Sequence, residues 1–203
     1  MTSIETPSTG RVAPESAAAA DAGLEDAGLE EAAAALRAHV RDVQDFPQPG
    51  VVFKDITPLL ATPAAFGVVL DALAGTARRL GATVVAGIEA RGFLLAAPVA
   101  DRIGAGIVPI RKQGKLPGPT VTESYALEYG TAVLEMHADA VGAGDRVLII
   151  DDVLATGGTA AAAANLLRHS GAEVLGLAVL MELTFLAGRR QIPSLEVTTL
   201  LAI

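Results

Sequence analysis

The sequence predicts an α/β fold, an open and mostly parallel twisted sheet flanked by helices. From residue 83 onward, short apolar runs of strand length alternate with segments of helical spacing. Two of these runs end in turns rich in glycine and small residues that open a helix. Half of the 203 residues are hydrophobic and only 3% are aromatic, a composition typical of α/β domains. Strands that alternate with helices pair in parallel, which predicts a doubly wound sheet.

The N-terminal part lacks this alternation. Residues 1–23 are rich in Ala, Ser, Thr, Pro and acids, and we predict that they form a disordered extension. A helix is expected from about Leu24, with Leu36, Val40 and Val43 on one face, and it ends before Phe-Pro-Gln-Pro-Gly at 46–50. An extended piece at 51–53 and a turn at 55–58 follow.

The remaining elements follow from apolar spacing. The predicted helices are 63–80, 92–103 and 158–169, and the predicted strands are 83–88, 107–110, 146–150, 174–181 and 196–203. The segment 112–124 is polar and holds two glycines and two prolines, which indicates a mobile loop. The alternation at 125–127 and 131–136 indicates a hairpin.

Charge and composition exclude several classes of function. Residues 1–31 carry seven acids and one base, whereas the rest carries sixteen acids and fourteen bases, so the net charge of −8 mostly describes the tail. No dense basic face indicates nucleic-acid binding. The absence of cysteine excludes disulfides and thiolate catalysis. We see neither an apolar run of about 20 residues nor a secretory signal, and we expect a cytoplasmic protein without a membrane partner.

The most informative motif is Val-Leu-Ile-Ile-Asp-Asp-Val-Leu-Ala-Thr-Gly-Gly-Thr at 147–159. A buried strand leads into two carboxylates, then a tight turn opens a helix. Ligands of open α/β sheets bind beyond the carboxyl ends of the strands. The N–H groups of a glycine-rich turn at a helix start face an anion, and threonine hydroxyls donate to phosphate oxygens. Carboxylates followed by such a turn suit a phosphorylated ribose.

A second turn of this kind is Gly-Ile-Glu-Ala-Arg-Gly-Phe at 87–93. It also follows a strand and opens a helix, and it adds Arg91 to the anion-facing backbone. Arg111, Lys112 and Lys115 lie in or beside the polar loop. Two anion sites with a basic lid fit a substrate that carries two separate phosphate groups, such as 5-phosphoribosyl-1-pyrophosphate.

Five blocks, at 46–58, 87–93, 111–118, 125–130 and the Asp-Asp turn, give the chain a wider resemblance. Over about 46–201 it resembles the type I phosphoribosyltransferases and, within that family, the adenine-specific branch. The blocks at 46–58, 111–118 and 125–130 carry the adenine resemblance. Lys54 stands where an arginine is common, and Glu89-Ala90 stands where Asp-Ser is common.

The resemblance implies one phosphoribosyltransferase domain at 24–203, with a small N-terminal hood at about 24–60 and a lid at about 112–124. It implies transfer of the 5-phosphoribosyl group from phosphoribosyl pyrophosphate to N9 of adenine, giving AMP and pyrophosphate. Mg²⁺ would arrive with the donor, held by substrate and water near Asp151 and Asp152 without direct protein ligands. A homodimer is the usual assembly of such enzymes.

The resemblance also assigns roles. Asp151 and Asp152 would hold the ribose hydroxyls, and Glu128 would be the general acid/base near N7 and N9, with Arg91 as a catalytic cation. The 5'-phosphate would be wrapped by Ala155, Thr156, Gly157, Gly158 and Thr159. The pyrophosphate would meet Arg91, Arg111, Lys112 and Lys115. The base would lie between Phe53 and Leu183 and be read by main-chain groups near Val52 and Lys54.

Two alternatives remain open from the sequence. One is a relative that uses hypoxanthine, guanine or xanthine, against which the 46–50 block argues. The other is a regulator with this fold that binds DNA, which would need an added DNA-binding domain or a basic surface. His39, His137 and His169 belong to no motif, and we assign them structural roles.

Overall fold

The structure, a computed structural model, describes residues 15–126 and 130–203, with side chains described from residue 27 onward. Helix α1 spans Glu15–His39. We expected residues 15–23 to be disordered, but they belong to this helix. The physical reason is that an alanine-rich stretch has high helix propensity. The rest of the expected extension, residues 1–14, lies outside the described residues.

The helix ends earlier than its apolar spacing predicted, so that Val40 and Val43 do not extend it. Instead β1 (Arg41–Gln44) pairs antiparallel with β2 (Val52–Asp55), and Val43 lies opposite Phe53. Pairing with a neighbouring strand has overridden the local helical pattern. A short helix α2 (Thr57–Leu60) replaces the expected turn, and α3 (Pro63–Leu80) follows as predicted. Helix α1 packs on α3.

Within the described residues, the central sheet has seven strands, and these strands position the site. In chain order the elements are β3 (Val84–Ile88), α4 (Gly92–Ile103), β4 (Gly106–Lys112), β5 (Thr120–Ala126), β6 (Thr131–His137), β7 (Arg146–Leu154), α5 (Gly158–His169), β8 (Glu173–Glu182) and β9 (Glu196–Ala202). The strand order is β5-β6-β4-β3-β7-β8-β9. The five strands from β4 to β9 in that order are parallel, and β6 pairs antiparallel with both β4 and β5. The α/β prediction is confirmed.

The expected lid is shorter in the structure than the sequence predicted. Lys112 ends β4, and residues 120–124 belong to β5, which leaves only 113–119 as a loop. The prediction of a loop over 112–124 is wrong at both ends. Polar residues of β5 fill alternate, exposed positions while every residue from Thr120 to Ala126 pairs with β6. A strand with a solvated face is polar enough to resemble a loop.

Two hydrophobic clusters cover the two faces of the sheet. Leu148 and Ile150 of β7 belong to the cluster that includes α1, α3 and α4, whereas Val147 and Ile149 belong to the cluster that includes α5. All four side chains are fully buried, and each contributes about 2 kcal/mol to stability. Burial on both faces explains why this strand reads as a continuous apolar run. Strand β7 is thereby fixed as the base on which the site is built.

A connection after β8 contains two short 3-10 helices, Thr184–Leu186 and Gly188–Gln191, before β9. None of the helices in the described ranges is long and apolar enough to cross a membrane.

Candidate active site

The Asp-Asp pair lies inside β7 and not beyond its end, which corrects the predicted strand of 146–150. Strand β7 pairs with β3 only as far as Ile150 opposite Gly87, but it continues along β8 to Leu154 opposite Glu182. Because β3 ends first, the last four residues of β7 have one free edge. That edge opens toward the 89–91 turn, where a cleft can form.

The start of α4 lies directly against β7 because Gly92 lets the two backbones approach. A Cβ atom at Gly92 would lie 2.7 Å from the carbonyl oxygen of Ile150 and 3.1 Å from Oδ1 of Asp151. Only glycine leaves room for the start of α4 against β7. The Glu89–Ala90 peptide bond in this turn is cis.

The two carboxylates have different surroundings. Asp152 is 5% exposed, and its Oδ2 lies 2.8 Å from Nη2 of Arg91, but outside the angular range of a hydrogen bond. Asp151 is half-buried at the base of the cleft, and its Oδ1 accepts a hydrogen bond from its neighbour's N–H at 2.9 Å. Burial, and then the charge of Asp152, raise the pKa of Asp151 well above its ordinary value. Ionising both carboxylates together therefore costs free energy, and a ligand whose hydroxyls donate hydrogen bonds to the pair can offset that cost.

The turn at 155–159 has the geometry of an anion site. Gly157 adopts a left-handed conformation, with φ of 87°, immediately before α5. The N–H groups in the first turn of a helix have no partner within the helix, and the helix dipole adds positive potential there. The Thr159 hydroxyl lies 3.3 Å from the Tyr125 hydroxyl, to which it donates. Backbone and hydroxyl donors thus meet at one end of the cleft.

Arg91 connects the hood to the Asp-Asp pair. Its guanidinium carbon lies 4.6 Å from the centre of the Phe53 ring, a cation–π contact. Its Nη1 also donates to the carbonyl oxygen of Lys54 at 3.4 Å. Arg91 therefore touches both the strand expected to read the base and the aspartate expected to hold the ribose.

Another expected cation, Arg111, is held by a carboxylate that we did not single out. Arg111 donates through Nε and Nη2 to Glu89, at 3.2 and 3.4 Å, and the N–H of Lys112 donates to the same carboxylate at 3.1 Å. Burial alone would raise the pKa of Glu89, but Arg111 and the Lys112 N–H hold it below its ordinary value. Arg111 also donates to the carbonyl oxygen of Lys115 at 2.9 Å. Arg111 is thus engaged in holding the loop.

The cleft between hood and sheet has a volume of about 420 Å³. Most of the predicted site residues share its lining: Val52, Phe53, Lys54, Arg91, Lys112, Asp151, Asp152, Ala155, Thr159 and Leu183. Thr156 and Gly157 line a smaller adjoining pocket, and Gly158 borders a groove beside α5. Arg111 and Lys115 do not line the cleft, and Glu128 lies outside the described residues.

Sequence reasoning missed several residues. Glu89, Tyr125 and Leu134 line the cleft. Glu135 is 3% exposed and accepts hydrogen bonds from the N–H groups of Lys115 and Leu116, at 2.7 and 2.8 Å. A single acid between Leu134 and Met136 in an apolar strand was the available signal, because a buried carboxylate needs such partners.

The described residues contain no cluster of three or more His, Cys, Asp or Glu side chains that could enclose a metal ion. The half-buried Asp151 carboxylate nevertheless offers acceptor oxygens to the cleft, the ligand type that Mg²⁺ prefers. These residues fit a metal ion that a phosphorylated ligand brings with it.

Comparisons with known proteins agree with this geometry. The phosphoribosyl transferase domain family matches residues 57–197. An adenine phosphoribosyltransferase of Parafrankia sp. (strain EAN1pec) is 76% identical over 172 residues, which cover 85% of this chain and 94% of that protein.

Two solved structures share the fold. The adenine phosphoribosyltransferase of Rhodothermus marinus is 50% identical, with a TM-score of 0.81 over 85% of this chain and 98% of that one. The enzyme of Saccharomyces cerevisiae, complexed with an iminoaltritol bisphosphate and adenine, is 36% identical, with a TM-score of 0.78 over 83% of this chain and 98% of that one. The expected type I phosphoribosyltransferase fold is confirmed, and the chain belongs to the adenine phosphoribosyltransferase family.

Proposed function

We propose that the cleft carries out the reaction of this family with the residues in the roles that follow. The 5-phosphoribosyl group passes from phosphoribosyl pyrophosphate to N9 of adenine, and AMP and pyrophosphate leave. The observation that supports these roles best is that both anion-facing turns and the Asp-Asp pair line one cleft. This arrangement suits a donor with a phosphate at each end and a ribose in the middle.

The donor's 5'-phosphate lies on the backbone N–H groups of 155–159 and on the threonine hydroxyls of that turn. Asp151 and Asp152 accept hydrogen bonds from the ribose hydroxyls, which relieves the repulsion between the two carboxylates. Arg91 and Lys112, which both line the cleft, attract the pyrophosphate end. Arg111 and Lys115 act through the loop that they hold and belong to.

During transfer the bond between C1 of the ribose and the pyrophosphate oxygen breaks, and the electron pair leaves with the pyrophosphate. N9 of adenine forms the new bond to C1, and the base loses a proton, for which Glu128 is the candidate acceptor. Positive charge develops on the ribose, so Asp151 and Asp152 stabilise it electrostatically from the base of the cleft. When Mg²⁺ is bound with the donor near Asp151 and Asp152, it would supply positive charge that offsets the charge on the leaving group.

Adenine lies against Phe53 and Leu183, and its edge meets main-chain groups of Val52 and Lys54. All four residues line the cleft, Val52, Phe53 and Lys54 from the hood and Leu183 from the position immediately after β8. The yeast relative binds adenine together with a bisphosphate sugar analogue, which supports the same pairing of ligands here.

The direct test incubates the purified protein with phosphoribosyl pyrophosphate, Mg²⁺ and each purine base separately. We expect AMP and pyrophosphate from adenine, and much slower turnover of hypoxanthine, guanine and xanthine. Faster turnover of another base would favour the alternative specificity, and the absence of turnover with every base would refute the proposal. Asp152→Asn should weaken use of the donor much more than binding of adenine.

We further propose a homodimer that works in the cytoplasm. Leu94 of α4 and Ile107 of β4 are about half exposed, which provides apolar surface for a second copy. Its charged substrates do not cross a bilayer unaided, so the enzyme must work where they are made. Light scattering on the purified protein would test the dimer, and a monomer at micromolar concentration would refute it.

A further inference from the structure

The 155–157 part of the phosphate turn rests on a piece of backbone outside the cleft. A Cβ at Gly188 would lie 2.2 Å from the carbonyl oxygen of Ala155, and a Cβ at Gly157 would lie 2.3 Å from the carbonyl oxygen of Gly188. Main chain therefore packs directly on main chain at this point. Movement of Gly188 by a fraction of an ångström would change the shape of the turn.

The sheet alone does not fix Gly188. The ladder between β7 and β8 ends with the N–H of Leu183 donating to the carbonyl oxygen of Leu154 at 2.9 Å. The chain then runs through the first 3-10 helix and reaches Gly188 by way of Ala187, whose φ is 51°. The backbone hydrogen bonds on either side of Gly188 are local: the N–H of Ala187 donates to the carbonyl oxygen of Thr184, and the N–H of Arg190 donates to that of Ala187.

The next residue, Arg189, ties this segment back to the sheet. Its Nε lies 2.9 Å from both oxygens of Glu182, and its Nη2 lies 2.8 Å from Oε2. It also donates to the carbonyl oxygen of Val197 at 3.2 Å and to the Thr199 hydroxyl at 3.3 Å. Glu182 is 7% exposed, and the hydrogen bonds from Arg189 hold its pKa below the ordinary value. A planar guanidinium is suited to such a two-pronged contact.

We propose that Arg189 is a positioning residue for the phosphate end of the donor, because its contact with Glu182 presses Gly188 against the turn at 155–157. Arg189 lines none of the surface of the cleft, so it would act through Gly188 and not by touching the substrate. Its effect is confined to the end of the site that Gly188 supports. The pyrophosphate end, near Arg91 and Lys112, is built on other elements. This role rests on the proposed function of the turn.

The test compares two ligands that report on the two ends of the site. Ribose 5-phosphate probes the turn at 155–157, and pyrophosphate with Mg²⁺ probes the opposite end. Their dissociation constants are measured by calorimetry for wild type, R189A, R189K and R190A. Arg190 is the matched control, since it is the exposed neighbour in the same 3-10 helix.

We expect R189A to weaken ribose 5-phosphate at least about tenfold and pyrophosphate less than about twofold, because only one end loses its geometry. R189K should weaken ribose 5-phosphate by an intermediate factor, since an ammonium group cannot make the two-pronged contact. R190A should leave both constants within about twofold. If R189A does not fold, R189K decides the question.

A purely structural role would lower the affinity of both ligands together, and that result would overturn the proposal. The proposal would also be overturned if R189A and R189K bound ribose 5-phosphate as tightly as wild type does. If wild type itself bound no ribose 5-phosphate and used no phosphoribosyl pyrophosphate, the proposed function would fail as well. If wild type turned over its substrates and R189A and R189K bound ribose 5-phosphate as tightly as wild type, only the positioning role of Arg189 would be refuted.

Discussion

Replacing Asp151 by Asn should stabilise the ligand-free protein although it damages the site. Asp151 and Asp152 are adjacent in β7, and burial together with its neighbour's charge raises the pKa of Asp151. Asn keeps an oxygen that can accept the hydrogen bond from the N–H of Asp152, but it carries no charge. The substitution thus removes an electrostatic repulsion between the two carboxylates that is present in the ligand-free folded protein.

The size of the effect follows from the charges. By Coulomb's law, two like unit charges about 4 Å apart repel by about 4 kcal/mol at an effective dielectric constant of about 20, and by less at longer range. Arg91, 2.8 Å from Asp152, offsets part of this repulsion, and solvent in the cleft screens more. We therefore expect a gain of about 1–2 kcal/mol in the free energy of unfolding. For a chain of this length, that is a rise in Tm of about 2–8 °C.

The assay is thermal unfolding of both proteins between pH 5.5 and pH 8, without ligand. A carboxyl group whose pKa is raised in the folded state binds more protons there than when unfolded. Its contribution to stability therefore falls as pH rises from its ordinary value of 3.8 through the raised pKa. Wild type has this loss and Asp151→Asn does not, so the Tm advantage of the variant should grow with pH.

Asp152→Asn serves as the comparison, because we expect it to change stability in the opposite direction. It takes the charged partner from Arg91 and should lower stability by about 1–3 kcal/mol, because that pair is only partly exposed. A lower Tm for Asp151→Asn at pH 8, or an advantage that does not vary with pH, would refute the account of the pair.

Three further predictions concern the turn, the hood and the metal. Gly157→Ala should lower stability by about 2–4 kcal/mol and weaken ribose 5-phosphate at least about tenfold, because φ is 87° and the added Cβ would meet Gly188 at 2.3 Å. Gly158→Ala, whose Cβ would lie no closer than 3.4 Å to another residue, is its control, and equal effects in calorimetry would contradict this explanation. Hydrogen bonds from Thr57, and then from Arg41, lower the pKa of Asp55 to about 2, so its contribution to stability is complete above its ordinary value of 3.8 and is lost as pH falls through 2. Denaturant titrations should show Asp55→Asn less stable than wild type at pH 6, with the gap closing toward pH 2; a constant gap would count against the assignment. EDTA should abolish AMP formation and excess Mg²⁺ restore it, whereas turnover that persists in EDTA would exclude the proposed role of magnesium.

The sequence by itself determined the fold class and the location of the site. Burial on both faces makes β7 a continuous apolar run, and the turns after β3 and β7 carry glycines at positions that only glycine fits. Both signals are local, because periodicity and turn chemistry act over a few residues. For the same reason the order of residues along the chain was enough to single out Asp151, Asp152 and Arg91.

Only the tertiary structure decided which strands extend beyond their neighbours and which charged side chains form ion pairs. The free edge of β7 exists because β3 stops at Ile88 while β8 continues to Glu182. The contacts of Glu89 with Arg111, of Glu135 with the loop and of Glu182 with Arg189 join other parts of the chain. Pairing between strands and between charged side chains depends on distance in space. Neither kind of pairing produces a periodic pattern of residues along the sequence. The boundaries of α1 and β5 shifted for the same reason, since their neighbours and not their own residues set where they end.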